Sequence, residues 1–219
     1  APEPPHAERR IRPPMKRRPL ALLVPLALLA AAPSPAAEIA RWPLPAAAVM
    51  SADAAVNAPP DLKRQLVRHR TRLMEGVKAG LATSPARDAA ARRAALASGA
   101  RRIAQAIRDH RRFEDVAFEV GGLVAEAALL CGPPGPEPLD GDLIYFASER
   151  SVFRGFTARP FDAPETLVAA PLRTDNPREA YDSGVTLATR LLAWIWNAAG
   201  GDASIALARP ESKGPYPVR

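Results

Sequence analysis

The chain has 219 residues, of which 47% are hydrophobic and 5% aromatic, and its formal net charge is +7. Residues 38–219 account for only +3 of that charge, with basic and acidic residues interleaved, so the composition argues against a nucleic-acid-binding protein. The one cysteine, Cys131, excludes an intramolecular disulfide.

The N-terminal region has the layout of a secretory signal peptide, which we assign to residues 15–37. Met15 is followed by a basic stretch, by the apolar run Leu20–Ala32, and by small and turn-forming residues from Pro33 to Ala37. The apolar run is shorter than the roughly 20 residues that a membrane-spanning helix needs. We therefore expect an exported protein that is located in the periplasm or outside the cell.

Small residues at the end of this segment indicate where the signal peptide is removed. Cleavage is expected after Ala36, or else after Ala37, and an uncleaved segment that anchors the chain at a membrane surface is the alternative. Residues 1–14 contain no methionine and are interpreted as an upstream extension or a misplaced start. The rest divides into a single helical domain, residues 38–202, and a loosely ordered tail, residues 203–219.

The first predicted helix follows a proline pair. Pro59 and Pro60 end an Ala-rich segment, Pro45 to Asn57, and Asp61 then stands where a helix N-cap is expected. Apolar residues at helical spacing predict one continuous helix that ends near Thr83: Leu62, Leu66, Leu73, Val77 and Leu81.

Two more helices are predicted before a proline-rich loop that begins at Cys131. Ser84 and Pro85 form a start signal, and an apolar stripe continues the second helix towards Arg112: Leu96, Ala100, Ile103 and Ile107. The third helix is predicted from Glu114 to about Leu130. Its Gly121-Gly122 pair lowers helix propensity, so we expect a neighbouring helix to approach closely at this point.

The last helix has the clearest boundaries. An aromatic-rich segment, Leu143 to Phe161, precedes it and is expected to form a short helix and an extended stretch over the core. Asn176 is the predicted N-cap, Pro177 opens the helix and Gly200-Gly201 closes it. Its predicted buried stripe is Tyr181, Val185, Ala188, Leu192, Ile195 and Ala199. With no alternating strand pattern in the sequence, we predict an all-α, single-domain bundle of four to five helices.

Two histidines lie in the predicted helical domain. His69 and His110 each continue an apolar stripe, so they are expected to point inwards, where they could bind a metal if carboxylates joined them. The alternative is that each is a helix-end histidine satisfied by a backbone carbonyl. A Ser-His-Asp or Cys-His catalytic group could also include Ser183 or Cys131 as its nucleophile. Neither residue has the surrounding sequence of a nucleophile turn.

The third helix and its exit carry a resemblance to a known family. The stretch runs from Gly122 through Glu126 and Leu130 to Pro134 (GLVAEAALLCGPP). It is similar to a helix of zinc-dependent phospholipases C and related secreted nucleases, in which a Gly is followed by a His, an Asp and a Pro. The approach FEDVAFEVG, the final helix and Trp42 before an Ala-rich segment also resemble that family. The resemblance implies a phospholipase C/nuclease-like fold.

The sequence departs from the family pattern at the positions that bind zinc. The resemblance implies a His and an Asp that bind zinc, but the matching positions hold Glu126 and Leu130. The family also uses the amine of an N-terminal Trp, whereas Trp42 follows Arg41, a poor cleavage site. The resemblance therefore implies a degenerate relative that lacks most zinc ligands.

Two functions follow from these observations. The first is an exported helical protein that is not catalytic and acts by binding a phospholipid head group or an envelope protein, with no cofactor. The alternative is a metal-dependent phosphoesterase whose reduced zinc site uses His69, His110 and Glu126, joined by Asp53 or Asp115.

Overall fold

The chain folds as a set of packed helices. The computed structural model is described over residues 42–83, 88–132, 163–169 and 176–204, and within these ranges it contains no strand. The described ranges contain seven helices: α1 (Leu44–Asn57), α2 (Pro60–Arg68), α3 (Arg70–Thr83), α4 (Ala89–Arg108), α5 (Phe113–Cys131), α6 (Pro164–Ala169) and α7 (Pro177–Ala198). The prediction of an all-α helical bundle is confirmed.

The described residues hold more helices than the four to five expected. The Ala-rich segment is itself a full helix, α1; the first predicted helix is divided into α2 and α3; and α6 was not predicted, although Pro164 at its start is a helix-start signal. Several predicted features lie outside the described residues: the upstream extension, the signal peptide, the start signal Ser84-Pro85, most of the proline-rich loop, the aromatic segment 143–161 and nearly all of the tail.

Helix α1 is a core element. Ala46, Ala47, Met50 and Ala54 on its inner face are fully buried, and the helix packs most extensively on α7. Alanine has the highest helix propensity of all residues, which accounts for the helix. A run of alanines nevertheless gives weak contrast between an apolar and a polar face, which is why periodicity did not reveal it.

A break at His69 separates α2 from α3. His69 has φ −106° and ψ 31°, and its backbone N–H donates to the carbonyl oxygen of Gln65 at 3.0 Å, which ends α2. The prediction that Asp61 is the N-cap is wrong. Pro59 occupies that position, and Asp61 lies in the first turn, where its carboxylate pairs with Arg64.

Helix α4 is shorter than predicted. It begins after Asp88, whose Oδ1 accepts a hydrogen bond from the backbone N–H of Ala91 at 2.7 Å, a conventional N-cap. It ends at Arg108 rather than near Arg112. The chain turns at His110, which has a φ of +52°, a left-handed conformation incompatible with a continuing helix.

The closest helix contact joins α3 to α5 through glycines. A Cβ atom on Gly121 would lie 2.1 Å from the carbonyl oxygen of Leu73, and one on Gly76 would lie 2.0 Å from that of Phe118. Either distance is far below van der Waals contact, so the two backbones touch only because both positions lack a side chain. The prediction that a neighbouring helix approaches closely at the glycine pair is confirmed for Gly121.

Helix α7 lies at the centre of the bundle. The Oδ1 of Asn176 accepts from the backbone N–H of Arg178 at 3.0 Å, as the sequence predicts, and Gly200 follows the helix with a φ of +88°. The predicted stripe is buried from Tyr181 to Ile195. Burial extends further, since every residue from 180 to 189 is buried, and α1, α4, α5 and α6 all pack around this helix.

The glycine pair offers a matched test of the α3–α5 contact. Gly121→Ala should lower the free energy of unfolding by about 2–3 kcal/mol or more, because overpacking forces the helices apart. At Gly122 the nearest atom to an added Cβ is the Gly76 carbonyl oxygen at 4.0 Å. Gly122→Ala should therefore raise the free energy by up to about 1 kcal/mol through helix propensity. Equal effects in urea unfolding would contradict this packing.

Candidate functional site

The structure places His110 away from the core. It follows the end of α4, it is exposed, and its φ is positive. The prediction that His110 continues the inward stripe of Ile103 and Ile107 is wrong, because the helical periodicity was extended past the last helical residue.

His69 lies at the junction of α2 and α3. It is half-buried, and its ring lies against that of Phe113 at the start of α5, with 5.9 Å between ring centroids and 33° between planes. This ring contact connects the α2–α3 junction to the start of α5. This position agrees with the helix-end alternative, although the hydrogen bond that ends α2 comes from the backbone rather than from the imidazole.

Glu126 lies in the middle of α5 and is paired with an arginine. Its Oε2 accepts from Nη1 of Arg92 in α4 at 2.9 Å, and the two side chains are 16% and 4% exposed. Leu130, four residues further along, is 2% exposed in the core. The two positions that the resemblance assigns to zinc ligands thus hold an ion-paired carboxylate and a packed leucine.

The predicted metal ligands do not form a cluster. Across residues 42–83, 88–132, 163–169 and 176–204, no group of three or more His, Cys, Asp or Glu side chains is placed to hold a metal ion, and His69, His110 and Glu126 fall within those ranges. Asp53 accepts a hydrogen bond from a tyrosine, and Asp115 lies in the first turn of α5.

The nucleophile candidates are also in structural positions. Cys131 ends α5 and is fully buried, and burial raises the pKa of its thiol to about 12, so it stays protonated at neutral pH. Ser183 is buried in the central helix α7. Neither residue has the exposed, activated setting of a nucleophile.

A cleft of about 490 Å³ lies between α3, α4 and α5 and includes Glu126 in its wall. Glu119 lies seven residues earlier on the same helix and also lines the cleft. Its two carboxylate oxygens accept from Arg102 Nε at 3.1 Å and Arg111 Nη1 at 2.8 Å. Small residues of α3 form the opposite wall: Gly76, Ala79, Gly80 and Thr83. Both carboxylates of the cleft are therefore occupied by guanidinium groups.

Sequence reasoning missed Glu119 and the arginines that pair with both glutamates. The seven-residue spacing of Glu119 and Glu126 places them on one helical face, and that signal was available. The pairing of Arg92 with Glu126 could not be predicted from the sequence, since 34 residues separate the two and no local pattern links α4 to α5.

A buried aromatic cluster holds the start of the described chain. Trp42 is 3% exposed, and its Nε1 donates to the carbonyl oxygen of Ala128 at 2.8 Å. Its ring meets Tyr181 edge-on with 6.1 Å between centroids. The hydroxyl of Tyr181 donates to Asp53 at 2.9 Å, and burial, followed by the charge of Asp53, raises the pKa of this tyrosine well above its usual value. Tyr181 is therefore a neutral donor that ties α7 to α1.

The outer surface of α2 and α3 is strongly basic. We call residues 63–72 the α2–α3 elbow; it contains Lys63, Arg64, Arg68, Arg70 and Arg72 and no acidic residue. Beside it lies an open groove of about 630 Å³ with an apolar lining. The groove is lined by Leu44, Pro45, Ala48, Arg70, Thr71, Met74, Glu75 and Lys78.

Comparison with protein-family models, curated proteins and solved structures finds no match to this chain. The phospholipase C/nuclease relationship therefore remains an expectation from the sequence. Of the helices in the described ranges, none combines the length and apolar character that crossing a membrane requires.

The ion pair between Arg92 and Glu126 can be tested by a double-mutant cycle. Arg92→Met should lower the free energy of unfolding by about 3 kcal/mol, because it removes the guanidinium that pairs with a largely buried carboxylate. Arg92→Met combined with Glu126→Met should recover most of that loss. As a control, Arg101→Met removes an exposed ion pair with Glu165 and should change little. If the double variant is no more stable than the Arg92→Met single variant, the pair is not coupled.

Proposed function

We propose that the chain is an exported helical protein that acts by binding and does not hydrolyse phosphodiesters. The observation that supports this most directly is the ion pair between Glu126 and Arg92, at the helix position where the resemblance implies a zinc ligand. Leu130, at the second such position, has no donor atom and packs in the core.

An arginine beside Glu126 opposes metal binding electrostatically. A guanidinium and a Zn²⁺ ion about 5 Å apart repel each other by about 7 kcal/mol at an effective dielectric constant of about 20. A zinc ion at Glu126 would have to displace Arg92, and breaking an ion pair that is largely buried is itself unfavourable. The pair therefore favours a structural role for Glu126 over metal ligation.

The proposed ligand is a phospholipid head group, with an envelope protein as the other candidate partner. The exposed arginines of the α2–α3 elbow suit the phosphate of a head group, since guanidinium groups bind phosphate oxygens through paired hydrogen bonds. The interleaved charges elsewhere and the scarcity of aromatic residues disfavour nucleic acid.

The proposal predicts that the purified protein retains no stoichiometric zinc after dialysis and turns over neither phospholipid nor single-stranded DNA when zinc is added. A tight zinc site needs three or four well-placed ligands, and Glu126 is held by Arg92. Elemental analysis and a phosphodiester hydrolysis assay measure the two quantities. One or more zinc ions retained per chain, with turnover lost in His69→Ala or His110→Ala, would establish the metal-dependent phosphoesterase instead.

Export is tested separately by the mass of the chain recovered from the cell envelope. The basic-then-apolar layout predicts that the mature chain begins near Ala37 or Glu38. Intact-mass spectrometry gives the start directly. A recovered chain that still contains Leu20–Ala32 would refute cleavage and favour the anchored alternative.

A further inference from the structure

We propose that the α2–α3 elbow and the groove beside it form a docking surface for an anionic phospholipid bilayer. This inference rests on the proposed binding function and deepens it: the ligand is the surface of an anionic bilayer, and the groove and exposed aliphatic side chains take part in binding it. Three features of the surface support it: uncompensated positive charge, exposed aliphatic side chains among those charges, and a rigid connection to the core.

Part of the positive charge of the elbow is uncompensated. Arg68 and Arg70 are exposed, and within the part of the chain that the structure describes neither forms an ion pair. Arg64 and Arg72 do pair with Asp61 and Glu75, but they remain 79% and 42% exposed. A surface with this excess of arginine attracts anionic lipid head groups within about one Debye length.

An aliphatic side chain stands among these charges. Val67 is 61% exposed, the highest value among the large hydrophobic residues of the described chain. Lys63 and Arg64 precede it by four and three residues on α2, so all three lie on one helical face. Basic side chains around an exposed apolar one match a membrane interface, where phosphate groups overlie the acyl region.

The adjacent groove extends the same pattern. Its charged lining residues are Arg70, Lys78 and Glu75, the last of which pairs with Arg72, while Leu44, Pro45 and Met74 contribute apolar surface. Leu44 is itself 41% exposed. Cations beside an apolar groove suit a lipid, because its phosphate can contact the cations while its acyl chain contacts the apolar residues.

The surface is held in place from beneath. Leu62 and Leu66 on the inner side of α2, and Leu73 on α3, are buried in the core. The ring of His69 lies against Phe113 at the bend itself. The helical backbone that carries the outward charges is therefore held in place before any ligand arrives, which lowers the entropy lost on docking.

A bilayer explains these features better than a nucleic acid does. Single-stranded nucleic acid is usually bound by aromatic side chains that stack on bases, beside cations that contact the backbone. The exposed apolar residues at this surface, Leu44 and Val67, are aliphatic. The combination of aliphatic side chains and arginine favours lipid.

The test is sedimentation of the chain recovered from the envelope with vesicles of phosphatidylcholine, with or without phosphatidylglycerol. Wild-type protein should bind the anionic vesicles and not the neutral ones, and added salt should release it. The double variant Arg68→Gln/Arg70→Gln should lower the partition coefficient by about 10–30-fold, the effect of two charges at an anionic surface. Val67→Ser should weaken binding by about 5–10-fold through the lost apolar contact.

Two matched controls show whether the position of the substituted residues matters, rather than the change in the protein's overall charge or hydrophobicity. Arg101→Gln/Arg108→Gln removes the same charge from exposed positions of α4, and Val56→Ser removes an exposed aliphatic residue of α1. Both should bind anionic vesicles within about twofold of wild type. Circular dichroism melting confirms that each variant is folded, and an Arg68→Lys/Arg70→Lys variant, which keeps the charge, should retain most binding.

The outcomes distinguish this inference from the proposed function. If the elbow and control variants lose binding equally, or if wild-type protein prefers single-stranded DNA to anionic vesicles, the elbow is not a lipid-docking surface. Binding to an envelope protein alone would also overturn it, while leaving a binding function in place. Release of phosphocholine or diacylglycerol from the vesicles during the experiment would instead refute the non-catalytic function.

Discussion

The direct contact between the backbones of α3 and α5 is the constraint on which the rest of the bundle depends. Gly76 and Gly121 allow an approach that any side chain would prevent, and Gly80 continues it, since a Cβ there would lie 2.7 Å from that of Ala125. Because α5 also contacts α1, α4 and α7, its placement fixes theirs. The 490 Å³ cleft follows from the same constraint: the small residues needed for close packing leave its α3 wall without bulky side chains.

The central position of α7 explains its unusual composition. A helix buried on all sides is normally apolar all round, yet Asp182, Ser183, Thr186 and Thr189 are buried in α7. Short polar side chains fit where neighbouring helices approach closely, and Gly184 in the same stretch has the sulfur of Met50 2.7 Å from its would-be Cβ. The Tyr181–Asp53 hydrogen bond shows how one polar group of α7 is satisfied from α1.

Capping and periodicity rules predicted the features that depend only on residues close together in the sequence. The Asn176 cap and the buried stripe of α7 depend on residues within a few turns, so the sequence was sufficient for them. The same rules failed where a helix end leaves no strong signal: neither His69 nor His110 is a glycine or proline, and apolar residues at helical spacing lead up to both. Contacts such as that between Arg92 and Glu126 depend on which helices become neighbours, and spacing within one helix contains no information about that.

The cleft and the elbow differ in how their charged side chains are paired. In the cleft, Glu119 and Glu126 each accept hydrogen bonds from arginine, so the positive charge there is balanced within the protein. At the elbow, Arg68 and Arg70 have no such partner in the described chain and face solvent. A ligand with a phosphate group therefore gains more from the elbow, because in the cleft it would have to compete with carboxylates that are already bound. This difference places the proposed binding surface outside the cleft, even though the cleft is the more enclosed of the two.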